Sequence, residues 1–280
     1  MGVHPKTFRY TFGRILLYGL LISTSILMII PFYWSVGTSL KLEQNVFASP
    51  PQWLPTPATL ENFIQVITRI HFFQYFGNSV FVSAVVTLGH VFFDTLAGYA
   101  FAKLKFPFRD QIFFIMLLAL MVPFQVNLIP VYKIMATFHW IDTYWALIIP
   151  NLTSIFGIFL MRQFMMSIPN ELLDAARIDG CNEFGVFRRV VLPLALPGIA
   201  TLVIFTFMGT WNDFLWPRLV INSEKLFTLP LGLAMLQMRN TSNVAQIMAG
   251  TVLTALPMIV VFLFMQRQFI EGMTAGALKE

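Results

Sequence analysis

The chain is 280 residues long, 57% hydrophobic and only 11% charged, with a mean hydropathy of +0.73. Soluble domains carry about a quarter charged residues, so this composition excludes a soluble globular protein and points to one integral to a membrane. A net charge of +5 and a pI near 9.5 would suit nucleic acid, but the placement of the bases along the chain argues against that partner.

A helix crossing about 30 Å of hydrocarbon at about 1.5 Å per residue needs roughly 20 apolar residues. The stretches that qualify are Ile15–Val36, Phe76–Ala102, Gln111–Tyr132, Thr143–Met161, Val190–Trp211 and Val244–Gln266. They predict an all-α membrane protein: a basic tail (1–14), one six-helix domain (15–266) and a second tail (267–280). With the N-terminus inside, both tails are cytoplasmic, and twelve of the eighteen bases fall on cytoplasmic segments. That excess follows the positive-inside tendency. The first stretch is too long for the apolar part of a cleavable signal and has no small-residue cleavage site before Pro31, so it is expected to stay as an anchor. It ends in Pro31-Phe32-Tyr33-Trp34, aromatics suited to the lipid interface.

An external segment, 40–75, follows. Pro50, Pro51, Pro55 and Pro57 forbid a continuous helix there. From Thr59 a helix is expected, with Phe63, Val66, Ile67 and Ile70 on one face.

The second crossing carries His90 and Asp94, four apart and so on one face. An exposed aspartate at the centre of a membrane helix costs on the order of 2.5–3.5 kcal/mol. Asp94 must therefore face protein or water, or be protonated. A proton relay and a buried pair holding helices together both fit. A basic turn, Lys103 to Arg109, leads to the third crossing, where Pro123 and Pro130 free carbonyls of the preceding turns and predict a kinked or broken helix, which is tolerated where protein or a water-filled path surrounds it.

Between the fourth and fifth crossings lies the longest charged interruption, 167–193: SIPNELLDAARIDGCNEFGVFRRVVLP. It reads as two short helices joined at Gly180. Pro169 suits a first turn, Glu171 and Asp174 lie early where carboxylates are favoured, and Asn182 can cap the second helix. On local pattern alone this could be an amphipathic hairpin lying on the lipid surface.

Within it Asp174-Ala175-Ala176, Gly180, Val190 and Leu192-Pro193 keep the spacing of the EAA loop of bacterial ABC-importer permeases, with Asp in place of the family's Glu and Val in place of Ile. The resemblance extends along most of the chain. Ala97 to Pro107 resembles the A-Y-A-F-A-x-x-x-F-P stretch of carbohydrate permeases. Trp211-Asn212-Asp213-Phe214 is similar to their W-N-[DE]-F motif, and Gln266 to Lys279 resembles their ending.

The resemblance implies a maltose-type permease subunit in the bacterial inner membrane that forms half of a translocation pathway with a second homologous permease chain. It implies an ATPase dimer, which binds ATP and Mg, docked on the loop, and an extracytoplasmic solute-binding protein outside, reached through a polar loop at Gly232–Ala245. Glu171, Asp174, Ala175, Ala176, Arg177, Gly180, Leu192 and Pro193 would form the ATPase-coupling site. Asp174 would be its electrostatic contact, the alanines its close-packing surface and Gly180 its bend. Trp211, Asn212, Asp213 and Asp94 are the substrate-path candidates, and the cargo leans to a neutral sugar or glycosylated polyol.

The chain has no G-x-x-x-x-G-K-[ST] phosphate loop, no H-E-x-x-H and no G-x-S-x-G, so it is not expected to be an enzyme or to bind a cofactor. The single cysteine, Cys181, and the scattered His4, His71, His90 and His139 suggest neither disulfide nor metal. The alternative is a proton-coupled secondary transporter using His90 and Asp94.

Overall fold

The structure is a computed structural model describing residues 5–239 and 243–275. The side chains of Lys6, Arg9, Arg239 and the residues beyond Arg267, together with Asn240 and residues 276–280, lie outside the described residues. Contacts divide the chain into two compact units, Met1–Ile70 with Leu236–Thr254, and His71–Met235 with Ala255–Glu280.

The first unit begins with α1 (Pro5–Ser39). Its apolar side chains from Ile15 to Phe32 are largely exposed, an arrangement that water does not tolerate over such a length. The hydroxyls of Ser23, Thr24, Ser25 and Ser35 bond back to carbonyls three or four residues earlier, leaving little that is polar along the helix surface. The proline-rich segment is irregular, as expected, but its base is not solvated: Lys41 is 2% exposed, donates to Gln52 O at 2.5 Å and sits 4.7 Å over the Trp34 ring. In α2 (Glu61–Arg69) Val66 is buried, as the spacing predicts. So is Asn62, whose amide donates to Ser39 O and Lys41 O at 2.8 Å.

In the second unit α3 (Phe72–Lys103) is one unbroken helix of 32 residues. The third crossing is α4 (Arg109–Ala119) and α5 (Phe124–Thr137), bent by 99°. The break falls at Pro123, and Pro130 lies inside α5. The fourth crossing, expected to be continuous, is α6 (Tyr144–Ile148) and α7 (Ile155–Met166), bent by 40°. After the hairpin helices α8 (Asn170–Ile178) and α9 (Glu183–Val186), a π-helical turn at Phe187–Val191 runs into α10 (Leu192–Leu194). The fifth crossing was expected to start at Val190, but the bend of 75° comes at Ala195, and α11 (Leu196–Trp211) is its straight part. Pro193 and Pro197 explain this, since each lacks the N–H that would continue the ladder.

Next come α12 (Leu215–Val220), α13 (Leu229–Arg239) and α14 (Val244–Ala275). The polar loop expected at Gly232–Ala245 is thus corrected: its first eight residues are helical. Pro230, which reads as a breaker, sits in the first turn of α13, where it costs no hydrogen bond. Among the described residues three helices are long and apolar enough to span a membrane, and there are up to six spans if each bent pair is one. Among the described residues there is no strand.

Glycines set the closest packing. A Cβ on Gly98 of α3 would come within 2.6 Å of Met161 Cβ in α7, and one on Gly89 within 2.6 Å of Leu152 in the turn before α7, so α3 packs closely along the fourth crossing, as membrane helices with small residues do. Asp142, left-handed at φ 61°, accepts from the backbone N–H of Asn222 and Ser223 at 2.9 and 2.8 Å. Burial pushes its carboxyl up, but these bonds and one from the Ser223 hydroxyl outweigh burial and hold it below the usual range.

Candidate functional site

The hairpin is built on a buried underside. Leu173 is 1% exposed and packs with Tyr99, Met165, Val186, Phe187 and Val191, anchoring α8 on α3 and α7. Lys103, at the end of α3, donates to Ile168 O at 2.6 Å and Asn170 Oδ1 at 2.9 Å, fixing where the hairpin begins.

The turn follows from Gly180. Its φ of +86° is left-handed, and the N–H groups of Cys181 and Gly180 donate to Ala176 O and Arg177 O, both at 3.0 Å. This pair of bonds ends a helix on a glycine without a Cβ clash. Asn182 then caps α9, its Oδ1 accepting from Gly185 N–H at 2.8 Å.

One guanidinium joins the two arms. Arg177 donates to Asp174 Oδ1 at 2.7 Å on its own helix and to Glu183 Oε1 and Oε2 at 2.9 and 3.2 Å across the turn. Glu183 Oε2 also accepts from the Tyr99 hydroxyl of α3 at 2.9 Å. Hydrogen bonds donated to Glu183 and then to Asp174 hold the Arg177 guanidinium more firmly protonated than usual. The Arg177 bond is also the main cause holding the Glu183 carboxyl below its ordinary range, against a smaller opposing effect of burial.

Asp174 is therefore engaged within the hairpin, and Glu183, absent from the sequence-based set, is its second acidic member. Ala175 is exposed and Ala176 half-buried against the core. Ile178 and Phe184 are 87% and 64% exposed, an outward apolar pair that the sequence reading did not single out. Glu171 and Pro193 are exposed, and Leu192 packs against the core cluster.

The substrate-path candidates do not form one group. Trp211 is 1% exposed, stacked on Phe207 at 5.6 Å and edge-on to Phe76 at 5.8 Å, with no open ring face for a solute. Asn212 bonds back to Met208 O at 2.9 Å. Asp213 accepts from Trp216 N–H at 3.3 Å, and burial raises its carboxyl against the lowering effect of backbone N–H groups at Trp216 and Leu215.

Asp94 is fully buried and closes the break in the fourth crossing. Its Oδ2 lies 2.6 Å from His90 Nδ1, while Oδ1 accepts from Thr153 Oγ1 at 2.5 Å and Ser154 N–H at 3.2 Å. His90 Nε2, 2.9 Å from Asn151 O, must donate, because a carbonyl only accepts. The pair thus satisfies the backbone freed between α6 and α7, the condition for unwound chain at membrane depth. Gly157 leaves room for it, since a Cβ there would lie 1.9 Å from Asp94 Oδ2.

Comparison with known proteins decides the family. Residues 94–273 match the family model described as binding-protein-dependent transport system inner membrane component. This chain belongs to that family of inner-membrane transport permeases. It is 39% identical over 226 residues to the arabinooligosaccharides transport system permease protein AraQ of Halalkalibacterium halodurans, covering 80% of this chain and 81% of that one. It is 32% identical over 254 residues to the sn-glycerol-3-phosphate transport system permease protein UgpE of Salmonella typhimurium, covering 88% and 90%. Its fold matches a chain in the crystal structure of a bacterial ABC transporter that imports the acidic polysaccharide alginate, with a TM-score of 0.81 at 22% identity over 96% of this chain and 100% of that one. A second alginate transporter structure, in complex with an alginate pentasaccharide-bound periplasmic protein, matches with a TM-score of 0.66 at 15% identity over 92% and 95%. The permease is accordingly a transport component and not an enzyme.

Proposed function

We propose that this permease forms half of the translocation pathway of an ATP-driven importer of neutral sugars or glycosylated polyols. In this reading a second homologous permease chain completes the pathway. An ATPase dimer, holding ATP and Mg, docks on the 167–193 hairpin, and an extracytoplasmic solute-binding protein delivers the cargo. Both tails and the hairpin are cytoplasmic, and the apolar outer surface of the spans faces lipid. The cargo class draws on relatives named for arabinooligosaccharides.

The observation that carries the reading is the construction of the hairpin. Its underside is fastened to α3 and α7 through Leu173, and its arms are locked by Arg177, while Ala175, Ile178 and Phe184 point outward. A rigid element with an exposed apolar tip can be pushed by a partner without deforming. ATP-driven closure of the ATPase pair moves it, and the crossings rock between outward-facing and inward-facing states.

The test is purification from native membranes and uptake in vesicles. An ATPase co-purifies, and uptake of arabinotriose survives collapse of the proton gradient while ATP is maintained. Uptake that stops with the gradient and persists without ATP favours the proton-coupled alternative through His90 and Asp94.

A further inference from the structure

Neither the hairpin nor the buried pair uses a cavity of about 230 Å³ beside His90, between the unwound turn Asn151–Ser154 and α11. From α11 it receives Phe205, Thr206, Gly209 and Thr210; Phe156 of α7 meets Phe205 edge to face with centroids 5.9 Å apart. Thr201, Thr251 and Thr254 bond their hydroxyls back to a carbonyl four residues earlier, whereas the buried hydroxyls of Thr87 and Thr95 in α3 have no partner. Among the described residues the hydroxyls of Thr206 and Thr210, one helical turn apart, have no such bond and are left for whatever fills the cavity. Thr153 donates to Asp94 and Ser154 Oγ accepts from Gly157 N–H, so each keeps hydrogen-bonding capacity on the cavity side.

We propose that this cavity is a subsite for one ring of a neutral, hydroxyl-rich solute, contributed by this chain itself. The inference rests on the importer reading above and narrows its substrate class. Sugar hydroxyls both donate and accept, as threonine hydroxyls do, and the two phenylalanine rings offer an apolar wall to the C–H face of a sugar. The lining contains no Asp, Glu, Lys or Arg, and both nitrogens of His90 are committed. A phosphate or carboxylate would shed its water there without gaining a cation, which is strongly unfavourable. The volume is below the roughly 300–1,000 Å³ of pockets that enclose drug-sized ligands, so one ring fits and the rest of a longer saccharide extends out of it.

The test uses the assembled importer in proteoliposomes. Thr206→Val with Thr210→Val removes both hydroxyls at nearly constant volume. Gly209→Leu fills the cavity from a position where an added Cβ meets nothing within 4 Å. Thr210→Cys reports directly on occupancy through its reaction with a neutral maleimide, against the wild-type chain with Cys181 as background. The KM for arabinotriose uptake is expected to rise about fivefold per hydroxyl removed, and Gly209→Leu to abolish uptake. Arabinotriose slows labelling of Thr210→Cys, and glycerol 3-phosphate does not. Wild-type uptake with an unchanged KM in the valine variant and unimpaired transport in Gly209→Leu overturns the subsite and leaves the importer reading standing. Absence of sugar uptake by the wild type overturns the cargo reading instead. Labelling indifferent to arabinotriose then counts independently against the subsite.

Discussion

Arg177 and Glu183 are joined across the Gly180 turn by two hydrogen bonds, at 2.9 and 3.2 Å, from one guanidinium to both carboxylate oxygens. The same guanidinium holds Asp174. Planar, forked geometry makes this double grip available to arginine and not to lysine. Arg177→Lys should therefore uncouple the arms. Exposed ion pairs contribute only about 0–1 kcal/mol, so thermal stability of the purified complex is expected to stay nearly unchanged while ATP-driven uptake falls. A parallel loss of stability and uptake would reduce Arg177 to a folding residue.

The turn itself gives a second prediction. Gly180 has open space around it, with nothing within 4 Å of an added Cβ, so any effect of substitution comes from its φ of +86°. Left-handed backbone costs an L-residue about 1–2 kcal/mol and is worst for β-branched side chains. Gly180→Val should lose uptake while the complex still assembles in the membrane, and Gly180→Asn should retain most of it. Equal uptake by both variants would dissociate the bend from coupling.

Acid titration tests the Glu183 contact. Arg177 holds its carboxyl below the ordinary range, so its stabilising contribution is complete above the unfolded-state pKa and disappears as pH falls through the lower folded value. The difference in thermal stability between wild type and Glu183→Gln should be flat through neutral pH and shrink as pH falls from the ordinary carboxylate pKa through the lower folded value. A difference that changes around neutrality would implicate another group.

For the buried pair, clamp and relay predict opposite outcomes. Asp94→Asn keeps an acceptor for Thr153 and Ser154 and offers an amide donor to His90 Nδ1. Uptake is expected to remain within about tenfold of wild type, the scale of one altered hydrogen bond; a relay would stop altogether. Asp94→Ala strands the Thr153 hydroxyl and the Ser154 N–H, at about 1–3 kcal/mol each, and should lower the yield of folded protein.

Gly157→Ala places a methyl on Asp94 Oδ2 at 1.9 Å and should destabilise by about 1–3 kcal/mol through overpacking. Gly77→Ala, also helical but with nothing within 4 Å, is the control and should be neutral or slightly stabilising. Thermal unfolding of the purified variants separates them.

Much of this was legible in the sequence for a physical reason: hydrocarbon demands long apolar runs, and Gly180, Asn182 and Pro123 act on the backbone locally. The spans, the reversal of the hairpin and the break in the third crossing came from such signals. The break at Asn151–Ser154 did not, because what stabilises it is Asp94, about sixty residues earlier. Glu183 was missed because its partner lies across a turn whose geometry must be known first. The helical start of Gly232–Ala245 was missed because its polar residues read as a loop, while Pro230 begins a helix there. Trp211 looked available to a sugar because a motif names a residue without saying which way its ring faces.

In the second unit α3 spans the membrane length as one helix, without a proline or a bend. At about 1.5 Å per residue its 32 residues form a spar roughly 48 Å long. Tyr99 ties it to the hairpin, and only five residues away Asp94 suspends the unwound turn of its neighbour. If the hairpin couples as proposed, a tug on Glu183 would reach that turn through one unbroken helix.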